Sequence, residues 1–137
     1  MGSSNAQYGL LGRWVRSRKF TFADKNSTKE VLDVPKNTFI PPLGVVVIIT
    51  TAFSGGTPTI DVGDGDNPDG WVDNTDVTEG TKGAYAGTET NTAAYSGTGR
   101  LYSAAETIDV VLPNEAITAG EAYVMAYMIN VDDVIDD

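Results

Sequence analysis

Gly44-Val45-Val46-Val47-Ile48-Ile49-Thr50-Thr51-Ala52-Phe53 (GVVVIITTAF) decides the fold class. From Val45 to Thr51 every side chain branches at Cβ, which stiffens χ1 and favours a strand over a helix. No polar residue interrupts Val45 to Ile49, so the strand reads as buried on both faces. Pro41-Pro42 stops whatever precedes it, because proline brings no N–H to a ladder. Downstream, Ser54-Gly55-Gly56-Thr57-Pro58 turns the chain, and Thr59-Ile60-Asp61-Val62 reads as the returning partner strand.

Outward from this pair, period-two alternation dominates and helical periodicity is almost absent. Phe20 and Phe22 alternate with Lys19, Thr21 and Ala23 up to a turn at Asp24-Lys25-Asn26-Ser27. Val31 and Leu32 lead into a short extended piece at Val34-Pro35. Residues 63–82 form a polar excursion rich in glycine and aspartate, with Trp71 and Val72 as its anchor and a turn nearby. Residues 83–98 carry Tyr85 and Tyr95 among small side chains, the text of weak strands and loops. Order resumes at Arg100-Leu101-Tyr102 and at residues 107–112, closed by Pro113-Asn114. The last strand, residues 121–131 (EAYVMAYMINV), sets Tyr123, Met125, Tyr127 and Ile129 on one face.

About eight strands at this spacing predict an all-β chain, a two-sheet antiparallel β-sandwich, jelly-roll-like or Ig-like. Residues 1–30 read as an extended basic N-terminal arm or a first strand, 31–131 as the sandwich and 132–137 as an acidic tail. At 137 residues the chain has the length of one domain.

The net charge of −10 hides a division. Residues 1–36 hold seven basic against three acidic side chains, net +4, and residues 37–137 hold two against sixteen, net −14. A basic segment on an acidic body predicts an electrostatic contact with a neighbouring copy or another acidic surface. Nucleic acid fits poorly, since the acidic body repels phosphate. No apolar run approaches the roughly 20 residues of a membrane span, and the first residues lack the pattern of a signal peptide.

Composition also narrows the chemistry. The chain has no histidine and no cysteine. A Ser-His-Asp triad, a thiolate nucleophile and the common zinc sites are therefore excluded. Carboxylate pairs remain, but Asp109 is expected to face solvent between Ile108 and Val110, and Glu106 and Glu121 flank strand ends. The expectation is a protein that is not an enzyme and carries no cofactor. Asp64, Asp66 and Asp69 lie in a glycine-rich loop of the kind that can gather oxygens for Ca²⁺. The EF-hand spacing fails, since Pro68 and Thr75 stand where ligands are needed, and a turn without metal is the favoured reading. Trp71 and Tyr85 are the candidates for a glycan-binding face.

The text Val34-Pro35-Lys36-Asn37-Thr38, then Thr50-Thr51-Ala52-Phe53-Ser54-Gly55-Gly56-Thr57-Pro58-Thr59-Ile60-Asp61-Val62-Gly63, resembles small structural proteins of tailed bacteriophages. So do Gly99-Arg100-Leu101-Tyr102, Thr107-Ile108-Asp109-Val110 and Thr118-Ala119-Gly120-Glu121-Ala122-Tyr123-Val124. The resemblance spans about residues 31–130 and is strongest to capsid decoration (cement) proteins. It implies a virion component made in the bacterial host cytoplasm and seated on the capsid exterior. Its partners would be the major capsid protein and other copies of itself, as a homotrimer or homodimer. A tail, neck or head-fibre component, or a module binding a host-surface glycan, is the alternative. No site residues come with the resemblance. The assembly contact is instead expected, from charge and apolarity, in Arg13, Trp14, Arg16, Arg18, Lys19 and Phe20.

Overall fold

The computed structural model describes residues 11–88, 93–113 and 116–135. Ten strands follow in order: β1 (Gly12–Arg16), β2 (Phe20–Thr21), β3 (Ser27–Val34), β4 (Thr38–Ile40), β5 (Val45–Ser54), β6 (Asp61–Gly63), β7 (Gly83–Ala86), β8 (Arg100–Tyr102), β9 (Glu106–Leu112) and β10 (Ala119–Asn130). The described residues also include two single-turn helices, α1 (Tyr95–Thr98) and α2 (Asp132–Ile135), and 3₁₀ turns at Phe22–Asp24 and Asn74–Asp76. All strand pairs are antiparallel, in one seven-stranded and one three-stranded sheet. The molecule is a two-sheet β-sandwich, as the alternation predicts.

The larger sheet is built on β10. Along one edge β10 pairs β5 from Ala126↔Val45 to Ala119↔Ser54, then β4 at Ile129↔Phe39. Along its other edge it pairs β1 from Ile129↔Gly12 to Met125↔Arg16, then β2 at Ala122↔Phe20. Each flank is thus one interrupted ribbon. Pro41-Pro42 supplies the break between β4 and β5, and Tyr127 N–H reaches across it to Gly44 O at 2.7 Å. Between β1 and β2, Ser17 N–H donates to Val124 O and Val124 N–H donates to Ser17 Oγ, both at 2.8 Å. The hydroxyl replaces a carbonyl in the ladder. The next amide, Arg18 N–H, donates instead to Val31 O of β3 at 2.9 Å, so the chain here ties the two sheets together. β7 and β8 extend the sheet beyond β5 and β4.

The smaller sheet runs β3-β9-β6, with a bulge between Glu30 and Leu32 that turns both Val31 and Leu32 inward. Between the sheets lie Val45, Val47, Ile49, Phe53, Val124 and Phe20 from one side and Val31, Val34, Val62, Ile108, Val110 and Leu112 from the other. Phe20 stacks on Phe53 with centroids 6.1 Å apart.

Three expectations are corrected. Residues 59–62 do not return against β5, because after the Gly55-Gly56 turn the chain crosses to the other sheet and β6 pairs β9. β5 is buried on one face only: Val46 and Ile48 stay partly exposed, since among the described residues no layer covers the outer face of the large sheet. Of the two readings of residues 1–30, an extended arm or a first strand, residues 12–16 and 20–21 take the second as strands of that sheet, and β3 starts at Ser27. Asp109 is buried at 8% exposure, because β9 is the middle strand of its sheet and is flanked on both sides. Residues 1–10 of the predicted arm and 136–137 of the predicted tail lie outside the described residues.

Candidate docking surface

The outer face of the large sheet follows from register. Trp14 lies opposite Tyr127, Arg16 opposite Met125, Tyr123 opposite Ile48 and Met125 opposite Val46. Period-two alternation therefore sets Trp14, Arg16, Tyr123, Met125, Tyr127, Val46 and Ile48 on one surface. Trp14 is 50% exposed and meets the Tyr127 ring edge-on, centroids 5.4 Å apart. The Arg16 guanidinium sits 4.8 Å over the Tyr123 ring. Gly12 makes room for this arrangement, since a Cβ there would fall 2.2 Å from the Tyr127 ring. Arg16 and Arg13 have no carboxylate partner among the described residues. The result is an aromatic, apolar surface with uncompensated positive charge.

The rest of the expected contact set divides. Lys19 is exposed and pairs loosely with Glu121 at 3.7 Å. Arg18 turns away from the aromatic surface, its Nη2 donating to Glu30 O at 2.6 Å. Phe20 is corrected outright: it is a core residue with 0% exposure and touches no outer surface.

The polar excursion is pinned rather than open. Trp71 has 0% exposure, its Nε1–H donates to Tyr102 Oη at 2.9 Å, and its carbonyl accepts from Ser96 Oγ. A glycan cannot reach it, so the sugar-binding assignment loses its tryptophan. Tyr85 is partly buried against the core and its hydroxyl donates to Thr81 O at 2.7 Å. The two residues do not form one face. Tyr102 in turn donates to Asp64 Oδ2 at 2.8 Å, and burial pushes its phenol up. Asp64 also accepts from Arg100 Nη1 at 2.8 Å and from the amides of Asp66 and Asn67 at 3.0 and 2.9 Å. Arg100 bonds Asp66 and Tyr95 as well and stacks over the rings of Tyr95 and Tyr102. Sequence reasoning does not bring this knot together. Its one signal is that Arg100 is among only two basic residues in positions 37–137.

The expected calcium trio is therefore not brought together. Asp64 and Asp66 serve Arg100, whereas Asp69 lies with Asp61 and Asp73, ligand atoms within 4.8 Å of one another. Those carboxylates are engaged in turn formation: Asp61 accepts from Asn74 N–H at 2.8 Å, and Asp73 caps the 3₁₀ turn through Thr75 N–H at 3.0 Å. Burial, more than the neighbouring Asp73 and Asp69, pushes the Asp61 carboxyl up. Asp109 is likewise raised by burial, with Glu30 and Glu106 adding repulsion against a relieving bond from Thr107. The small sheet thus presents an acidic outer face opposite the aromatic one.

No family model matches the sequence, and no characterised protein of similar sequence is found. Among solved structures the fold is similar to a chain in the acidic stable capsid structure of Helicobacter pylori bacteriophage KHP30, with 11% identity, TM-score 0.62 and 87% of each chain covered. It is also similar to a chain in the capsid asymmetric unit of cyanophage Pam1, with 18% identity, TM-score 0.62, and 87% of this chain and 86% of that one covered. At such identities the likeness is one of fold.

Proposed function

We propose that this chain is a structural subunit of a bacteriophage particle, a decoration (cement) protein that binds the assembled capsid shell from outside and stabilises it without catalysis. The observation that carries this reading is the mutual coverage of the likeness. The matched chains belong to phage capsid structures, and each is covered to the same extent as this one, 86% or 87%. Most of this chain resembles most of each matched chain.

The surface around Trp14 supports the reading and supplies its chemistry. Tryptophan, tyrosine and arginine are the residue types that carry binding energy at protein interfaces, and here Trp14, Tyr123, Tyr127 and Arg16 share one face. Burying its apolar area contributes about 25 cal/mol per Å² before the costs of association. Arg16 would pair with acidic groups on the major capsid protein, which makes binding sensitive to salt. A rigid sandwich already holds these side chains in place, so docking costs little ordering entropy.

The test adds the purified chain to shells from its own source that have been stripped of it. Stoichiometric co-sedimentation, weakened by added salt, is expected. Failure to bind shells that still bind the native component would remove the capsid from the proposal.

A further inference from the structure

The end of the sandwich where β1 begins and β10 finishes carries both halves of a contact. A shallow groove there is lined by Leu11, Arg13, Pro35, Thr38, Met128 and Asn130. Arg13 lies opposite Met128 in the ladder, so its side chain leaves β1 on the side away from Trp14 and Arg16. It is exposed and has no ion pair among the described residues. Leu11, on the rim, is 80% exposed.

Beside the groove the chain passes from β10 into α2. Asn130 Oδ1 accepts from Asp132 N–H at 2.8 Å, and the Asp132 carboxylate accepts from Asn37 Nδ2 at 2.8 Å. Val134 and Ile135 N–H both donate to Val131 O at 3.0 Å. These bonds hold the turn in a shape that leaves Asp133, Val134 and Ile135 facing solvent, the last two at 60% and 44% exposure. A carboxylate followed by two branched apolar side chains offers partners both to the Arg13 cation and to Leu11, Pro35 and Met128, the apolar part of a groove that Thr38 and Asn130 also line. In their own chain these side chains stand exposed, so the groove is not where they are seated.

We propose that the chain forms a two-fold dimer in which α2 of each copy enters the groove of the other. Val134 and Ile135 pack against Leu11, Pro35 and Met128, and Asp133 faces Arg13. The two-fold symmetry follows from placement. Asn130 both lines the groove and caps α2, so donor and acceptor are adjacent and one axis near the end of β10 makes both contacts at once. A stable complex buries roughly 800 Å² per partner, and a two-fold axis makes the contact twice. The dimer is responsive to salt. The groove lies off the aromatic face, so this contact does not depend on the capsid proposal and does not compete with it.

Sedimentation velocity on the full chain at low salt tests the idea. A monomer–dimer equilibrium is expected, shifting toward monomer as salt rises. Arg13→Glu and Asp133→Arg should each weaken it about tenfold, as expected for one partner of a charge pair reversed. An equimolar mixture of the two variants should recover the dimer, because each reversed charge then meets its opposite. Val134→Ser with Ile135→Ser should weaken it independently of salt. Melting curves check that these exposed substitutions leave the fold intact. A chain that stays monomeric at every concentration, a dimer indifferent to all four changes, a mixture that fails to re-associate, or a closed trimer would each overturn the proposal.

Discussion

The two tryptophans of this chain have nearly the same aromatic neighbour and opposite surroundings. Trp14 meets Tyr127 edge-on at 5.4 Å and 66°, and Trp71 meets Tyr95 edge-on at 5.4 Å and 61°. Yet Trp14 is half exposed on an outer sheet face, whereas Trp71 has no exposure and a satisfied N–H. The ring pair is common to both, so it does not decide the role. What decides it is what lies on the other side of each ring. Behind Trp71 stands the Tyr102–Asp64–Arg100 knot, which turns an otherwise polar excursion into part of the core. Beyond Trp14 lies solvent and Arg16, which has no ion pair among the described residues.

That contrast can be broken by substitution, and the largest effect belongs to Trp71. Trp71→Ala is expected to cost about 3–5 kcal/mol in denaturant unfolding, the range for deleting a buried large aromatic. A loss under about 1 kcal/mol would mean that the excursion is not anchored as described. Next is Arg100→Ala, which leaves the Asp64 carboxylate, itself at 0% side-chain exposure, without its cation. Breaking a buried pair from one side costs about 3 kcal/mol or more, moderated here because Arg100 keeps 25% exposure. Arg100→Lys should recover only part, since one ammonium cannot span Asp64 and Asp66 as the guanidinium fork does.

A smaller effect concerns the acidic side of the molecule. Burial raises the carboxyls of Asp61, Glu79 and Asp109 above their ordinary values. Each therefore binds its proton more tightly folded than unfolded, and its ionised form disfavours the folded state. Their contribution to stability rises as pH falls from above the raised values toward the ordinary carboxylate range near 4, and is lost as pH climbs back. Asp109→Asn keeps an acceptor for Thr107 and removes the charge, so it should raise the melting temperature at neutral pH and flatten the pH dependence. An unchanged slope would show that Asp109 does not carry the effect. The smallest change in stability is expected at Trp14: Trp14→Ala should shift unfolding by less than about 1 kcal/mol, as for a surface position.

The strands were legible because period two is written in single residues: β5, β9 and β10 appear in the sequence as alternation or as a β-branched run. Which sheet each strand joins was not. The Gly55-Gly56 turn looks the same whether the chain folds back or crosses over, and pairing with a strand some fifty residues away leaves no local trace. Exposure is not legible for the same reason. Asp109 sits on the outer face as alternation requires, but neighbours on both sides bury it. Trp71 was legible as the anchor of its excursion, while the partners that close over it, Tyr102 and Ser96, come from distant strand and helix positions. Of the expected contact residues, Trp14, Arg13 and Arg16 are on the surface and Phe20 is not, because the ladder with β10 resumes at β2 after Ser17 and the alternation beyond that point points Phe20 inward.

The most direct measurement is co-sedimentation with stripped shells, comparing the unaltered chain with Trp14→Ala, Arg16→Glu and, as a control on the opposite face, Asp109→Asn. The expected result is that the unaltered chain and Asp109→Asn bind alike, while both changes on the aromatic face lose most of their binding and melt normally. If Trp14→Ala and Arg16→Glu bind as well as the unaltered chain, the large sheet's outer face is not what meets the shell.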